Sequence, residues 1–179
     1  MSEMKERMLR GELYRVDEEL RAAHARAREL FERFNASPGT DILQELLGEI
    51  GEGVVIRPPF YCDYGSQISI GAGTFVNFGC VMLDAAPIRI GEACQLATKV
   101  QLLTATHPIE PEPRREGWES AAPIAIGDNV WLGGGAIVCP GVTVGDDTVV
   151  GAGAVVTSDL PAGVVAVGVP TRVTREIGG

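Results

Sequence analysis

Residues 126–155 read IGDNVWLGGGAIVCPGVTVGDDTVVGAGAV, and cutting every six gives IGDNVW, LGGGAI, VCPGVT, VGDDTV and VGAGAV. An aliphatic residue opens each hexad (Ile126, Leu132, Val138, Val144, Val150), and a small or β-branched residue stands four places later (Val130, Ala136, Val142, Thr148, Ala154). Glycine follows the aliphatic in four of the five. A fixed period of six belongs neither to a helix nor to a plain alternating strand; it marks a parallel β-helix. Each hexad is expected to supply a short strand with its aliphatic side chain inward, and the Gly, Asp and Asn positions to turn the corner, where positive φ is often needed.

Working upstream, the hexads IGAGTF, VNFGCV and MLDAAP start at Ile70, Val76 and Met82, and the phase resets at Ile90 with IGEACQ and LATKVQ. From Leu103 to Pro123 the rule fails: LTATHPIEPEPRREGWESAAP is rich in proline and charge. A long irregular excursion inside a repeat array adds nothing to the coil, so it reads as functional. Downstream, Pro161 and Pro170 interrupt a tail over about 156–179. At the other end, residues 3 to about 34 carry apolar side chains at spacings of three and four, including Met8, Leu9, Leu13, Val16, Leu20, Leu30 and Phe34. This predicts a helix with a break at Gly11, followed by a second short helix from Asp41 to about Leu47. The fold class is therefore an all-β core, a β-helix of hexapeptide repeats over residues 53–179 with a helical cap over 1–52 and an extruded loop over about 103–123. The cap reads as a polar cover for an open solenoid end.

A formal charge of −9 argues against a nucleic-acid surface. No apolar run approaches the length of a membrane span, and the charged start MSEMKER lacks the apolar core of a secretory signal. Cys62, Cys80, Cys94 and Cys139 form no CxxC pair, and Cys80 and Cys94 take small inward places in their hexads. They read as buried thiols in a reducing cytoplasm. With two histidines, His24 and His107, set far apart, no zinc site is expected and no metal requirement follows. The same count sets aside a zinc carbonic anhydrase on this scaffold.

The hexads together with ATHP (105–108), IGDNVWLGG (126–134) and GVPTRV (168–173) resemble the hexapeptide-repeat acyltransferases. The resemblance is closest to the maltose and galactoside O-acetyltransferase branch, with nodulation-type acetyltransferases beside it. It extends over GELYRVDEEL, FYCDYGSQI, NFGCVMLDAAPIRIG and VVTSDLPAGVVAVGVPTRV, nearly the whole chain. It implies a left-handed β-helix, a homotrimer with active sites at subunit boundaries, acetyl-CoA as donor and a sugar hydroxyl as acceptor. Other acceptors (an amino sugar, serine or a xenobiotic) and a non-catalytic scaffold are the competing readings.

His107 lies in the excursion directly before Pro108, which disfavours helix there. A free imidazole, with a pKa of about 6.5, can take a hydroxyl proton at physiological pH. The resemblance makes His107 the general base. It also implies that the Gly134 amide faces the thioester as an oxyanion donor. Trp131 is either a wall for the pantetheine arm or a core or interface residue. Ala152 and Thr157 match backbone contacts to pantetheine and adenine, and Arg172 and Arg175 match phosphate-binding arginines. Asp63, Asn77 and Asp84 match acceptor positions, with Asp17 and Glu119 matching less securely. Asp84 reads alternatively as a corner residue and Asp63 as an Asx-turn former. His24 stands on the cap where relatives carry arginine and reads as a surface residue, and Ser158 stands where the family commonly has lysine.

Overall fold

The computed structural model describes residues 1–178. The hexads wind into a three-faced prism. Its first coil comprises β1 (Glu49–Ile50), β2 (Val55–Ile56) and β3 (Phe60–Cys62); its second β4 (Ile68–Ile70), β5 (Phe75–Val76) and β6 (Cys80–Leu83). The third is β7 (Ile88–Ile90), β8 (Gln95–Leu96) and β9 (Gln101–Leu103). Next comes the excursion: β10 (Ala105–Thr106), α4 (Pro111–Arg115) and β11 (Ser120–Ala121). The coil resumes with β12 (Ile124–Ile126), β13 (Trp131–Leu132) and β14 (Ile137–Val138), then β15 (Thr143–Val144), β16 (Val149–Val150) and β17 (Val155–Val156). β18 (Val164–Val167) adds a last parallel rung to the β2 face, and β19 (Arg172–Glu176) turns back antiparallel against it.

Parallel pairing stacks like strands into the β1, β2 and β3 faces. The aliphatic that opens each hexad and the small residue four places on are buried throughout 126–154, and they fill the prism with a single apolar core. The glycine behind each aliphatic serves a purpose other than the expected positive φ. A Cβ at Gly133 would lie 2.5 Å from the Ala152 nitrogen of the next coil, so the close approach of stacked corners excludes a side chain. Positive φ falls two residues further along, at Asn129 (53°), Gly135 (70°) and Asp147 (57°).

The corner that leads from the β3 face to the β1 face differs from the other two. In the fourth coil Val144 follows Val138 six places on, but in the first two coils Ile70 follows Cys62, and Ile90 follows Met82, eight places on. This accounts for the phase reset at Ile90. At the same corner of the third coil the chain leaves for the excursion. One edge of the prism, here the wide corner, thus carries every departure from the hexad.

The N-terminal segment forms two helices rather than one, α1 (Glu3–Leu9) and α2 (Glu18–Ala36), with α3 (Thr40–Leu46) following. Gly11, at φ 72°, ends the first turn structure. Leu9 and Leu13, placed on the apolar stripe by spacing, are exposed, and Tyr14 takes the buried position between the helices. The Asp17 carboxylate accepts the Leu20 N–H at 2.9 Å and starts α2 as its N-cap. Leu30, Phe34, Ile42, Leu43 and Leu46 join the solenoid core, as a cover for its first coil should. The Asn35 amide fixes the docking by donating to the Phe60 carbonyl (3.0 Å) and accepting its N–H (2.8 Å).

Candidate active site

Cap, wide corner and excursion meet around a pocket of about 400 Å³ lined by Tyr14, Val16, Arg21, His24, Ala25, Arg28, Asp63, Tyr64 and Glu119. The excursion reaches it through backbone pairing. β10 and β11 are antiparallel, with Ala105 opposite Ala121 and Thr106 opposite Ser120. On its other side Glu119 exchanges two backbone hydrogen bonds with Tyr14, at 3.0 and 2.9 Å. The Tyr14 hydroxyl also donates to Glu119 Oε2 at 3.0 Å. Beside this bridge the guanidinium groups of Arg7 and Arg15 both lie over the Trp118 ring, at 5.5 and 4.7 Å from its centroid. The helical cap therefore does more than cover an end: it clips the excursion in place and walls the pocket.

The pocket lining is charged, with the carboxylates of Asp63 and Glu119, the guanidinium groups of Arg21 and Arg28, and His24. Asp63 Oδ1 lies 3.9 Å from His24 Nε2, and burial raises the Asp63 carboxyl above its ordinary value, with His24 opposing and Glu119 adding to the rise. Burial likewise pushes the Tyr14 and Tyr64 hydroxyls up, with Glu119 and Asp63 reinforcing the respective shifts, so both stay protonated donors. Carboxylate acceptors beside phenolic donors suit a ligand with several hydroxyl groups. His107 is exposed and follows Thr106, the last residue of β10, whose partner Ser120 directly follows Glu119.

The sequence-derived candidates divide between two edges of the prism. Asp63, Asp84, His107, Glu119 and Thr157 belong to the wide corner. Asn77, Gly134 and Ala152 stand on the edge between the β2 and β3 faces. Trp131 is on the β2 face, 53% exposed and so not a core residue, with Arg172 and Arg175 exposed on β19. Of the acceptor candidates the pocket gathers Asp63 and Glu119. Asn77 turns its side chain to its neighbour's backbone, Oδ1 accepting the Phe78 N–H at 2.9 Å. Asp17 caps α2 outside the pocket lining. Asp84 is wholly buried, and its carboxylate accepts the N–H groups of Asp63, Tyr64 and Gln67. Spacing did not single out Tyr14, Arg21, Arg28 and Tyr64. The adjacency of Tyr64 to Asp63 was one available signal; Tyr14 has its place only through a strand 105 residues away.

The β2–β3 edge offers backbone donors. At the third hexad position of the edge between the β1 and β2 faces, the Glu92 and Asp128 N–H groups are taken by the carboxylates of Asp128 (2.8 Å) and Asp146 (2.9 Å). The equivalent N–H groups on the β2–β3 edge belong to Gly134 and Ala152, one coil above the other, and have no partner among the described residues. Nor does the fold require glycine at 134: an added Cβ would meet Thr98 Oγ1 at 3.4 Å, an ordinary contact, and φ is not positive. Free stacked amides can donate to an amide-bearing ligand, and exposed arginines can bind phosphate. Among the described residues no three His, Cys, Asp or Glu side chains are grouped to hold a metal ion, and no helix is long and apolar enough to cross a membrane.

Residues 7–51 match the maltose acetyltransferase hexapeptide capping motif, and residues 123–158 the bacterial transferase hexapeptide of six repeats. Nodulation protein L of Rhizobium meliloti is 51% identical over 176 residues, covering 94% of this chain and 96% of that protein. The crystal structure of a maltose O-acetyltransferase from Clostridium difficile superposes with a TM-score of 0.96 at 42% identity, over 98% of each chain. A galactoside acetyltransferase in complex with coenzyme A gives a TM-score of 0.93 at 36% identity, over 99% of this chain and 92% of that one.

Proposed function

The chain belongs to the maltose and galactoside O-acetyltransferase family of hexapeptide-repeat acyltransferases, and from that premise we propose that it moves the acetyl group of acetyl-CoA to a hydroxyl of a sugar, with His107 as general base. The observation that carries the reading is the pairing of the excursion with the pocket: His107 and Glu119 stand directly beside the paired residues Thr106 and Ser120, and Glu119 lines the pocket. A sugar hydroxyl bound among Asp63, Tyr64 and Glu119 is within the reach of the excursion. There the imidazole takes its proton as the oxygen attacks the thioester carbonyl, and coenzyme A leaves as the thiol. Charge gathering on the carbonyl oxygen is met by the free Gly134 N–H.

The two edges of the prism are separated by the β3 face, so one chain does not bring Gly134 to His107. Three copies around a threefold axis solve this, the wide corner of one chain facing the β2–β3 edge of the next. What supports the assembly is the asymmetry of the faces. Outward positions are apolar on the β2 face (Val55, Phe75, Trp131, Val149) except at Gln95, and on the β3 face (Tyr61, Val81, Ile137, Val155) except at Gln101, but polar on the β1 face (Glu49, Ser69, Arg89, Thr143) except at Ala125. Apolar faces of that extent are rarely left to solvent on a monomer.

The test is His107→Ala, assayed by thiol release over a panel of sugars, amino sugars and serine. The expected result is a kcat lower by about 10²–10⁴ with acetyl-CoA affinity unchanged. Near wild-type transfer to every accepted hydroxyl overturns the base assignment. A panel in which amino groups or serine, and no sugar hydroxyl, accept the acetyl group overturns the acceptor assignment.

A further inference from the structure

Among the described residues Asp84 is the one acidic side chain the solenoid buries completely, and its surroundings differ from those of a ligand contact. Oδ1 accepts the N–H groups of Asp63 (3.1 Å) and Tyr64 (2.8 Å), and Oδ2 that of Gln67 (3.1 Å). The Asp84 carbonyl in turn accepts the Gln67 side-chain amide at 2.7 Å. The four bonds span the whole corner of the coil below, and two of the three backbone donors belong to residues that line the pocket, Asp63 and Tyr64. That corner is one of those lengthened by two residues. Its extra backbone N–H groups have no rung of the ladder to pair with, and a carboxylate is the acceptor with enough lone pairs to take three of them at once. The next corner up repeats the device in neutral form: Thr104 Oγ1 donates to the Leu83 carbonyl and accepts the Ala86 N–H, at 2.6 and 3.0 Å.

We propose that Asp84 is a positioning residue, which folds the 63–67 corner around its carboxylate and so presents Asp63 and Tyr64 to the acceptor without touching it. This replaces the direct acceptor contact expected from sequence, and it rests on the pocket being the acceptor site.

A double-mutant cycle separates the two roles. Asp84→Asn keeps the size of the side chain but sets a donor amide against one of the backbone N–H groups. The expected result is an acceptor KM raised about tenfold, with kcat at saturating acceptor and acetyl-CoA KM within about threefold of wild type. In a background carrying Asp63→Ala and Tyr64→Ala, the same substitution should change acceptor KM by less than about twofold, because the groups it acts through are gone. Full additivity means direct contact and overturns the proposal. Hydrogen exchange gives a readout independent of activity: Asp84→Asn should expose the Tyr64 and Gln67 amides while the ladder amides of the later coils stay protected. Unchanged protection at 64 and 67 also overturns it. If Asp63→Ala with Tyr64→Ala leaves acceptor KM unaltered, the pocket assignment fails, and the exchange result still decides whether Asp84 holds the corner. Should Asp84→Asn not fold, the wild type carries the test: its Tyr64 and Gln67 amides should exchange as slowly as the ladder amides, and exchange at the rate of exposed amides overturns the proposal.

Discussion

Thr74, Asp84, Thr104 and Thr148 are polar side chains that the solenoid buries without residue, and each is bonded to the backbone of a neighbouring coil. Asp84 alone among them carries charge. Burial raises its carboxyl from the ordinary 3.8 to about 6, against the pull of the backbone donors and with the help of nearby Asp63. The consequence for stability has a definite sign. Between those two values the native state holds a proton that the unfolded chain has released, so the contribution of Asp84 declines as pH rises from about 4 to about 6 and is constant above. Urea titrations should show wild type losing stability relative to Asp84→Asn across that interval, by on the order of 2–3 kcal/mol. An advantage of wild type that grows with pH there would show the carboxylate to be net favoured by its donors. The sequence marks Asp84 as an acid at a corner. It does not tell whether that corner opens outward, because the answer depends on two extra residues whose turn geometry no hexad pattern specifies.

At the scale of elements, the three consecutive glycines of the fourth coil have three separate causes. Gly133 is excluded from carrying a side chain by the coil above, Gly135 has positive φ, and Gly134 is under neither constraint. Gly133→Ala should therefore cost about 1–3 kcal/mol of stability through overpacking. Gly134→Ala should melt within about 0.5 kcal/mol of wild type, yet lose roughly tenfold or more in acetyl transfer by crowding the acyl group. Equal stability losses in the two variants would remove the argument for Gly134 as a donor. The coil elements were legible because a period of six is a local signal repeated many times. The excursion was legible as an interruption, although its inner order was not: α4 and the β10–β11 pair have no repeat to announce them. The helix break was placed correctly at Gly11, but the stripe through Leu9 and Leu13 misled, since Tyr14 is buried by long-range pairing with Glu119 and not by helical periodicity.

For the molecule as a whole, a prism with two predominantly apolar faces and one predominantly polar face implies defined company. Sedimentation should give a trimer at micromolar concentration, and Trp131→Glu, which sets a charge on the β2 face without touching the core, should shift it toward monomer and reduce activity with it. A stable wild-type monomer with full activity would overturn the shared-site arrangement. The ends of the prism are as informative as its sides. A parallel solenoid is in principle an endless stack, each rung a template for the next, and two such ends placed together extend one another into a fibre. Here the first end is sealed by α2 and α3, and the last strand on the β2 face reverses direction, so that β19 presents an antiparallel border where a parallel rung would be copied. The reversal acts as a terminator on that face: a second stack cannot be added there by copying a parallel rung.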